Sequence, residues 1–476
     1  MTLPAAAVQL AADQPPAKGE GAAVERLFQP MAGRRWVAWW ALLLVSAGLA
    51  AAGTYAAWIT VAQGIGLWGV GNQVGWGVAI VTFVFWIGIA HAGTFLSAIL
   101  HLLHQPWRVA FSRLAEGATL LAVLCAAAFP LIHLGRPWLA FWMFPYPNTR
   151  GSLWVNFRSP LTWDFVAIGT YFIISLLFFY LGLLPDLAAL RERLPEGLRR
   201  RACGWLALGW DGRSRLWVQW RRLYSLIAGL AAALVISVHS IVSWDFAVSL
   251  VPGWHSTIFP PYFVVGAVFS GLAMVILLVL AFRRLFGFGD LVPTALLEPL
   301  AKLLLACSLF LGLVYAAEFF HAYYGGEVWE LAIIQERWSG TMSVPFLATV
   351  VGNVALPQLL WFRRWRRSSA ALGLVAAGVT VAMWWERYVI VIGSLQRDFL
   401  PPNWTLYVPT LWELGPILAS IGWFAAGLLL LFRAVPPVSP AEWWWQRLQE
   451  RLPESWREFP PAASGERDGL GRETER

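Results

Sequence analysis

Four residues able to carry protons stand near the ends of long apolar runs. His133 closes one run in LIHLGRPW, and Asp164 opens the next in SPLTWDF. His239 and Asp245 lie toward the end of a later run, in VHSIVSWDF. A charged side chain in hydrocarbon costs about 3 kcal/mol or more unless it is paired or wet, so each is a functional candidate by default. Such a set suits the removal of two electrons and two protons from a hydroquinone. Each hydroxyl of the carrier needs an acceptor within hydrogen-bond reach. Histidine titrates near neutral pH and can serve as one. A carboxylate shielded from water takes up a proton more readily than one in water, and can serve as the other. The ring itself needs an apolar, aromatic pocket, and AFWMFPYPNTRGSLWVNF offers such a lining. The plainer account of His133, Asp164 and Asp245 is a hydrogen-bond network joining helices, and on the residues alone the two accounts balance.

A second group lies further along the chain. Glu318 and His321 are spaced i, i+3 and share a helix face. Glu386 and Arg387 interrupt an apolar run in MWWERYVIV. Together with His239 they are candidates for a proton path, or for an Arg–carboxylate clamp between helices, with the clamp slightly ahead. His91 fits a helix–helix hydrogen bond or, less well, a bis-histidine haem shared with His133. His101 and His104 fit an interfacial position, and His255 a short external turn. The cysteines Cys125, Cys203 and Cys307 form neither CxxC nor CxxCH. No iron–sulfur framework, c-type haem attachment or metal site is therefore expected.

These residues need elements to hold them, and composition says which. The chain has 476 residues, 58% hydrophobic and 13% charged, where a soluble protein carries roughly 25% charged residues. Apolar runs of ~20 residues, enough to cross ~30 Å of hydrocarbon as helix, recur along most of the length. The expectation is an all-α integral membrane protein of about ten spans, near 36–62, 75–103, 114–134, 161–184, 223–250, 259–282, 298–324, 341–362, 369–394 and 409–432. Many of the 31 tryptophans, among them Trp36, Trp76, Trp107, Trp138, Trp254, Trp361 and Trp404, sit near run ends, at the depth indole prefers. The glycine-rich segment 64–75 fits a short external turn, and Ser159 and Pro160 fit the N-cap and first turn of the fourth span.

Arginines alternate between connections. Arg34, Arg35, Arg108, a cluster from Arg191 to Arg222, Arg283, Arg284, a run from Arg363 to Arg367, and Arg433 fall on one side. The positive-inside rule then places both termini and the 185–222 loop in the cytoplasm, with the four proton-carrying residues in the outer half. The external 135–160 connection carries Arg136, Arg150 and Arg158 against this trend, which points to contact with something anionic or polar outside. The net charge of +8 does not indicate nucleic acid, because the basic residues sit in loops between spans. Three segments follow: a cytoplasmic N-terminal segment 1–35 without the look of a cleaved signal peptide, a membrane domain 36–433, and a polar cytoplasmic tail 434–476, partly disordered.

The motifs LGRPW, FRSPLTWDF and YLGLLPDLA resemble the NrfD-like polysulfide reductase membrane subunit family. GIGLWGVGNQVGWG, FVFWIGIAHAGTFLSAIL, MWWERYVIVIGSL and RDFLPPNW look like its branch in bacterial alternative complex III, and there most like the larger, quinol-binding (ActC-type) subunit. The resemblance covers roughly residues 36–432. It implies two four-helix bundles, spans two to five and six to nine, flanked by spans one and ten. It implies a quinol site at the outer face, menaquinol or ubiquinol as substrate, and protons released or translocated. The family's site histidine and aspartates match His133, Asp164 and Asp245, with Arg136 in the corresponding loop. The implied partners are an extrinsic iron–sulfur subunit of molybdopterin-enzyme type, a multihaem cytochrome c, a second NrfD-like subunit, lipids and a terminal oxidase. The chain itself is expected to hold no haem or iron–sulfur cluster. Two alternatives stay open: a quinone-reducing anchor of a molybdenum-type reductase or dehydrogenase, and a proton-coupled secondary transporter. The transporter is disfavoured because the charges gather at the outer surface and not at the midplane.

Overall fold

The computed structural model describes residues 25–28, 34–143 and 160–443. Among these residues the regular structure is helical, and ten helices are long and apolar enough to cross a membrane. We label them α1 (Arg34–Gln63), α2 (Val78–Leu102), α3 (Ser112–His133), α4 (Pro160–Arg193), α5 (Ser214–Ala247), α6 (Phe259–Phe286), α7 (Glu298–Gly325), α8 (Ser343–Trp361), α9 (Ser369–Gly393) and α10 (Leu411–Ala434). All ten expected spans are present. Helices α4 and α5 run longer than their apolar stretches, because the arginine-rich sequence beyond each continues as helix.

The chain divides into two compact units, 29–183 with 224–438, and 1–28 with 184–223 and 439–476. In the larger unit α2 packs on α3 and α6, α6 on α7 and α9, and α8 on α9, while α1 lies along α10 and α10 along α3. Side-chain bonds tie α4 and α5 to α2 and α3: Tyr171 donates to the Ala90 carbonyl (2.9 Å), Arg113 to the Gly182 carbonyl (2.7 Å), and Tyr224 to Glu116 (3.0 Å). Spans two to five and six to nine thus form the two bundles, flanked by α1 and α10. The α1–α10 seam is built from small residues. A Cβ on Gly53, Gly415 or Gly422 would strike the facing backbone or the Ala56 methyl, so these glycines permit the close approach that lets helices associate without a hydrophobic driving force.

In the smaller unit the start of the tail is ordered. Ser439 Oγ donates to Asp186 (2.8 Å), and the Ala441 amide donates to the other oxygen of the same carboxylate (3.0 Å). Residues 444–476, most of the expected disordered tail, lie outside the described residues, as do 1–24, 29–33 and 144–159. The last range contains Arg150, Arg158, the Ser159 cap and most of the aromatic lining expected for the site. Pro160 is the first helical residue of α4, where its missing N–H is no loss.

Two helices depart from α geometry beside polar residues. Helix α8 passes through a π-helical stretch, Val351–Ala355, containing Asn353, and then tightens to 3-10 geometry from Leu356, with Pro357 next. Helix α9 turns π-helical over Val389–Gly393, two residues after Arg387. Such widened turns often mark functional positions.

Candidate functional site

The antiparallel alternation of spans puts His133, the last residue of α3, at the same end of the bundle as Asp164, four residues into α4, and Asp245, two residues before the end of α5. Asp164 is buried and Asp245 half-buried. The two side chains interact with each other. One oxygen of each, Oδ1, is buried without a hydrogen-bond partner among the described residues, and so is His133 Nδ1. At the ends of three helices, three polar atoms able to bond a substrate hydroxyl thus receive no donor from the described residues. Arg136 stands exposed in the turn after His133. Trp138, Trp163 and Trp244 expose much of their rings at this end.

The His133 ring is covered on one side by Trp68, 6.1 Å between ring centres. Trp68 is fixed in turn: its indole donates to Thr60 Oγ1 (3.0 Å). Glu413, at the start of α10, accepts from the Gly69 amide (3.0 Å), the Val78 amide (3.2 Å) and the Tyr407 hydroxyl. Burial, and then the Glu413 carboxyl, push the Tyr407 phenol well up, so it remains a donor. Sequence reasoning passed over Glu413. The available signal was the T-x-x-E pattern at Thr410, which caps α10. The Glu413 side chain reaches past its own helix end to hold the glycine-rich turn.

Below this end the first bundle carries two further polar levels. At mid-depth His239 on α5 bonds His91 on α2, Nδ1 to Nδ1, at 2.9 Å, with Tyr171 packed on the His91 ring (4.4 Å). Both Nε2 atoms are buried and unpartnered. His91 therefore pairs with His239 and not with His133. Nearer the arginine-rich end, Glu116 on α3 accepts from Ser97 (2.5 Å) and Tyr224 (3.0 Å) and lies 3.8 Å from Arg108. Arg108 is buried, although by sequence it belongs to the arginine-bearing connections between spans. Thr119 bonds the Ala90 carbonyl and the Thr94 amide between these two levels. Glu116 was not singled out from sequence, and Arg108 only as one of the arginines that set the orientation, because a charge near a span end ordinarily belongs to the interface.

The second candidate group separates. Glu386 on α9 joins three other helices: Tyr262 of α6 and Tyr315 of α7 (2.7 Å) donate to Oε1, and Asn353 of α8 donates to the Tyr315 oxygen (3.1 Å). Arg387 holds Oε2 at 3.0 Å and stacks over Phe263 at 5.0 Å. The His239 ring lies on the same Phe263, at 6.1 Å. Glu318 instead pairs with Arg337, on the short helix Val328–Ser339, at 2.7 Å. His321, one turn on from Glu318, is exposed and joins neither cluster among the described residues. Among the described residues no group of three or more His, Cys, Asp or Glu side chains is placed to hold a metal ion.

The sequence matches the family described as "Polysulphide reductase, NrfD" over residues 66–397. The chain belongs to that family. It is 29% identical over 258 residues to a Halobacterium salinarum protein named "Putative dimethyl sulfoxide reductase membrane subunit", a match spanning 54% of this chain and about half, 53%, of that relative. It is 24% identical to a selenate reductase subunit of Mesobacillus selenatarsenatis, over 72% of this chain and 79% of the other. It is 23% identical to an Hdr-like menaquinol oxidoreductase integral membrane subunit of Archaeoglobus fulgidus, over 77% and 82%. The chain is thus an NrfD-family membrane subunit, similar to subunits of multisubunit oxidoreductases.

Proposed function

We propose that this NrfD-family chain binds a quinol at the His133–Asp164–Asp245 end and oxidises it, as the larger NrfD-like subunit of an alternative complex III-type quinol:acceptor oxidoreductase. The observation that carries this is the set of unpartnered atoms: His133 Nδ1 and one oxygen from each member of the Asp164–Asp245 pair. One quinol hydroxyl donates to His133 Nδ1, which accepts when the ring is neutral with its proton on Nε2. The other donates to the carboxyl pair, and Arg136 supplies a donor at the mouth. Oxidation gives the quinone, two protons and two electrons. The protons pass to His133 and the carboxyl pair and leave at the outer face through Asp245. The electrons leave for an iron–sulfur cluster on an extrinsic subunit and then for haems of a cytochrome c partner. Both termini are cytoplasmic in this account, because the arginine-bearing loops alternate in that phase.

The three polar levels of the first bundle suggest how protons can also cross. A route from the carboxyl pair through His239 and His91 to the Glu116 group stays within α2–α5. The Glu386–Arg387 cluster acts as the clamp of the second bundle. Two relatives carry reductase names, which favours a second reading: the same site serves an extrinsic reductase or dehydrogenase, and the partner's potential sets the direction of electron flow.

The test is quinol-dependent reduction of the partner haems in the purified assembly. His133→Ala and Asp164→Asn should each lower the rate by roughly 10²–10⁴-fold, the share that acid–base catalysis supplies, with all subunits still attached. Near-normal rates in both variants would mean that these residues only link helices.

A further inference from the structure

At the arginine-rich end of the larger unit, opposite the His133 end, a cleft of about 380 Å³ is lined by Arg35, Arg283, Arg284, Gly287, Asp290 and Ser369. Nothing in the proposed quinol chemistry uses it. Three guanidinium groups face one carboxylate, so the lining is strongly positive. Two of the arginines are held in place. Arg283 donates to Thr294 Oγ1 (2.7 Å), which is bonded to Ser369 Oγ (2.9 Å). Arg35 lies against the α-carbon of Gly287, whose φ of 75° is a left-handed conformation; a Cβ there would meet the guanidinium. Glycine at 287 therefore both ends α6 and leaves room for the Arg35 head.

The surroundings place this cleft at the level of lipid headgroups. In the first two turns of α1, Trp36 stacks on Trp39 and Trp40 meets both edge-on, and Arg433 lies over Trp36 at 4.6 Å. Indoles gather at that depth of a bilayer. Helix α1 also exposes Val37, Leu42, Leu44 and Val45, apolar side chains of the kind a span turns to lipid. Planar guanidinium forks match the oxygens of a phosphate group, and basic pockets between spans hold anionic headgroups.

We propose that the cleft binds the phosphodiester head of one anionic phospholipid, whose acyl chains extend into the surrounding bilayer. The site is independent of the quinol reading and would stand if that reading fell.

The experiment is native mass spectrometry of the full chain released from nanodiscs holding equal amounts of phosphatidylglycerol and phosphatidylcholine. The wild-type protein should retain phosphatidylglycerol preferentially. Arg35→Ala with Arg284→Ala should weaken that retention by roughly tenfold to thirtyfold, the effect of two charges near the bilayer surface. Arg199→Ala with Arg200→Ala, elsewhere on the chain, should leave it unchanged. Ser369→Asp adds a carboxylate while keeping every arginine, and should also weaken retention if the double alanine variant fails to fold. Equal retention of phosphatidylcholine would overturn the proposal, as would equal loss in the Arg199/Arg200 control or full retention in Ser369→Asp. Displacement of the lipid by millimolar inorganic phosphate would also overturn it, by marking a site for the free ion.

Discussion

The two bundles bury titratable groups in different ways. In the second, the Glu386 carboxylate is closed. Both oxygens are taken, by Tyr262 and Tyr315 on one side and Arg387 on the other, and the cluster touches all four helices. In the first, among the described residues, the Asp164–Asp245 pair, His133 and the His91–His239 pair each keep a buried atom of a titratable group with no partner, whereas the unpartnered atom of the Glu386 cluster is the Asn353 amide oxygen, which does not titrate. Burial is common to both bundles, so burial alone does not distinguish a site from a clamp. Unused bonding capacity does. A group whose lone pairs are all engaged stabilises what it touches, whereas one with a lone pair to spare can receive a substrate hydroxyl or a proton.

Several substitutions should sharpen that contrast. The largest effect belongs to the open pair. Asp164→Asn combined with Asp245→Asn should cut quinol turnover by about 10²–10⁴-fold while the thermal midpoint in detergent stays near the wild-type value; a matching collapse in stability would put this pair with the clamps. Arg387→Met should behave in the opposite manner. It leaves a buried carboxylate unpaired, a loss of about 3–5 kcal/mol readable by chemical unfolding in mild detergent, while folded molecules keep much of their turnover. A stable variant with abolished turnover would move the chemistry to the second bundle.

Smaller effects are expected at the turn that covers His133. Tyr407→Phe removes a donor to Glu413 and should cost about 1–2 kcal/mol. Because the loosened turn carries Trp68, the KM for quinol should rise several-fold with kcat largely kept; an unchanged KM would disconnect the turn from the site. His321→Ala should change neither stability nor turnover, within about 0.5 kcal/mol. A measurable loss there would restore His321 to the proton path expected from its spacing to Glu318.

The spans and their alternation were legible because hydrocarbon imposes a length and a composition on each helix. Placement at span ends then brought His133, Asp164 and Asp245 to one end of the bundle without any knowledge of packing. Pairing was not legible. His91 and His239 are 148 residues apart, and nothing local tells either that the other faces it. Glu318 and Glu386 looked alike in sequence, yet one bonds a short helix between spans and the other the centre of a bundle. Arg108 and Glu116 were hidden by a rule that holds on average: charges at span ends belong to loops, but here the loop folds back and buries them. Glu413 was hidden because its capping position gave it a sufficient local role.

The most direct test is to label the assembly with a photoreactive azidoquinone and map the modified peptides. The account predicts label on segments containing 131–138, 160–168 and 239–247, lost when excess quinol is present. Quinol-protected label on 383–390, around Glu386 and Arg387, with none near His133, would contradict it.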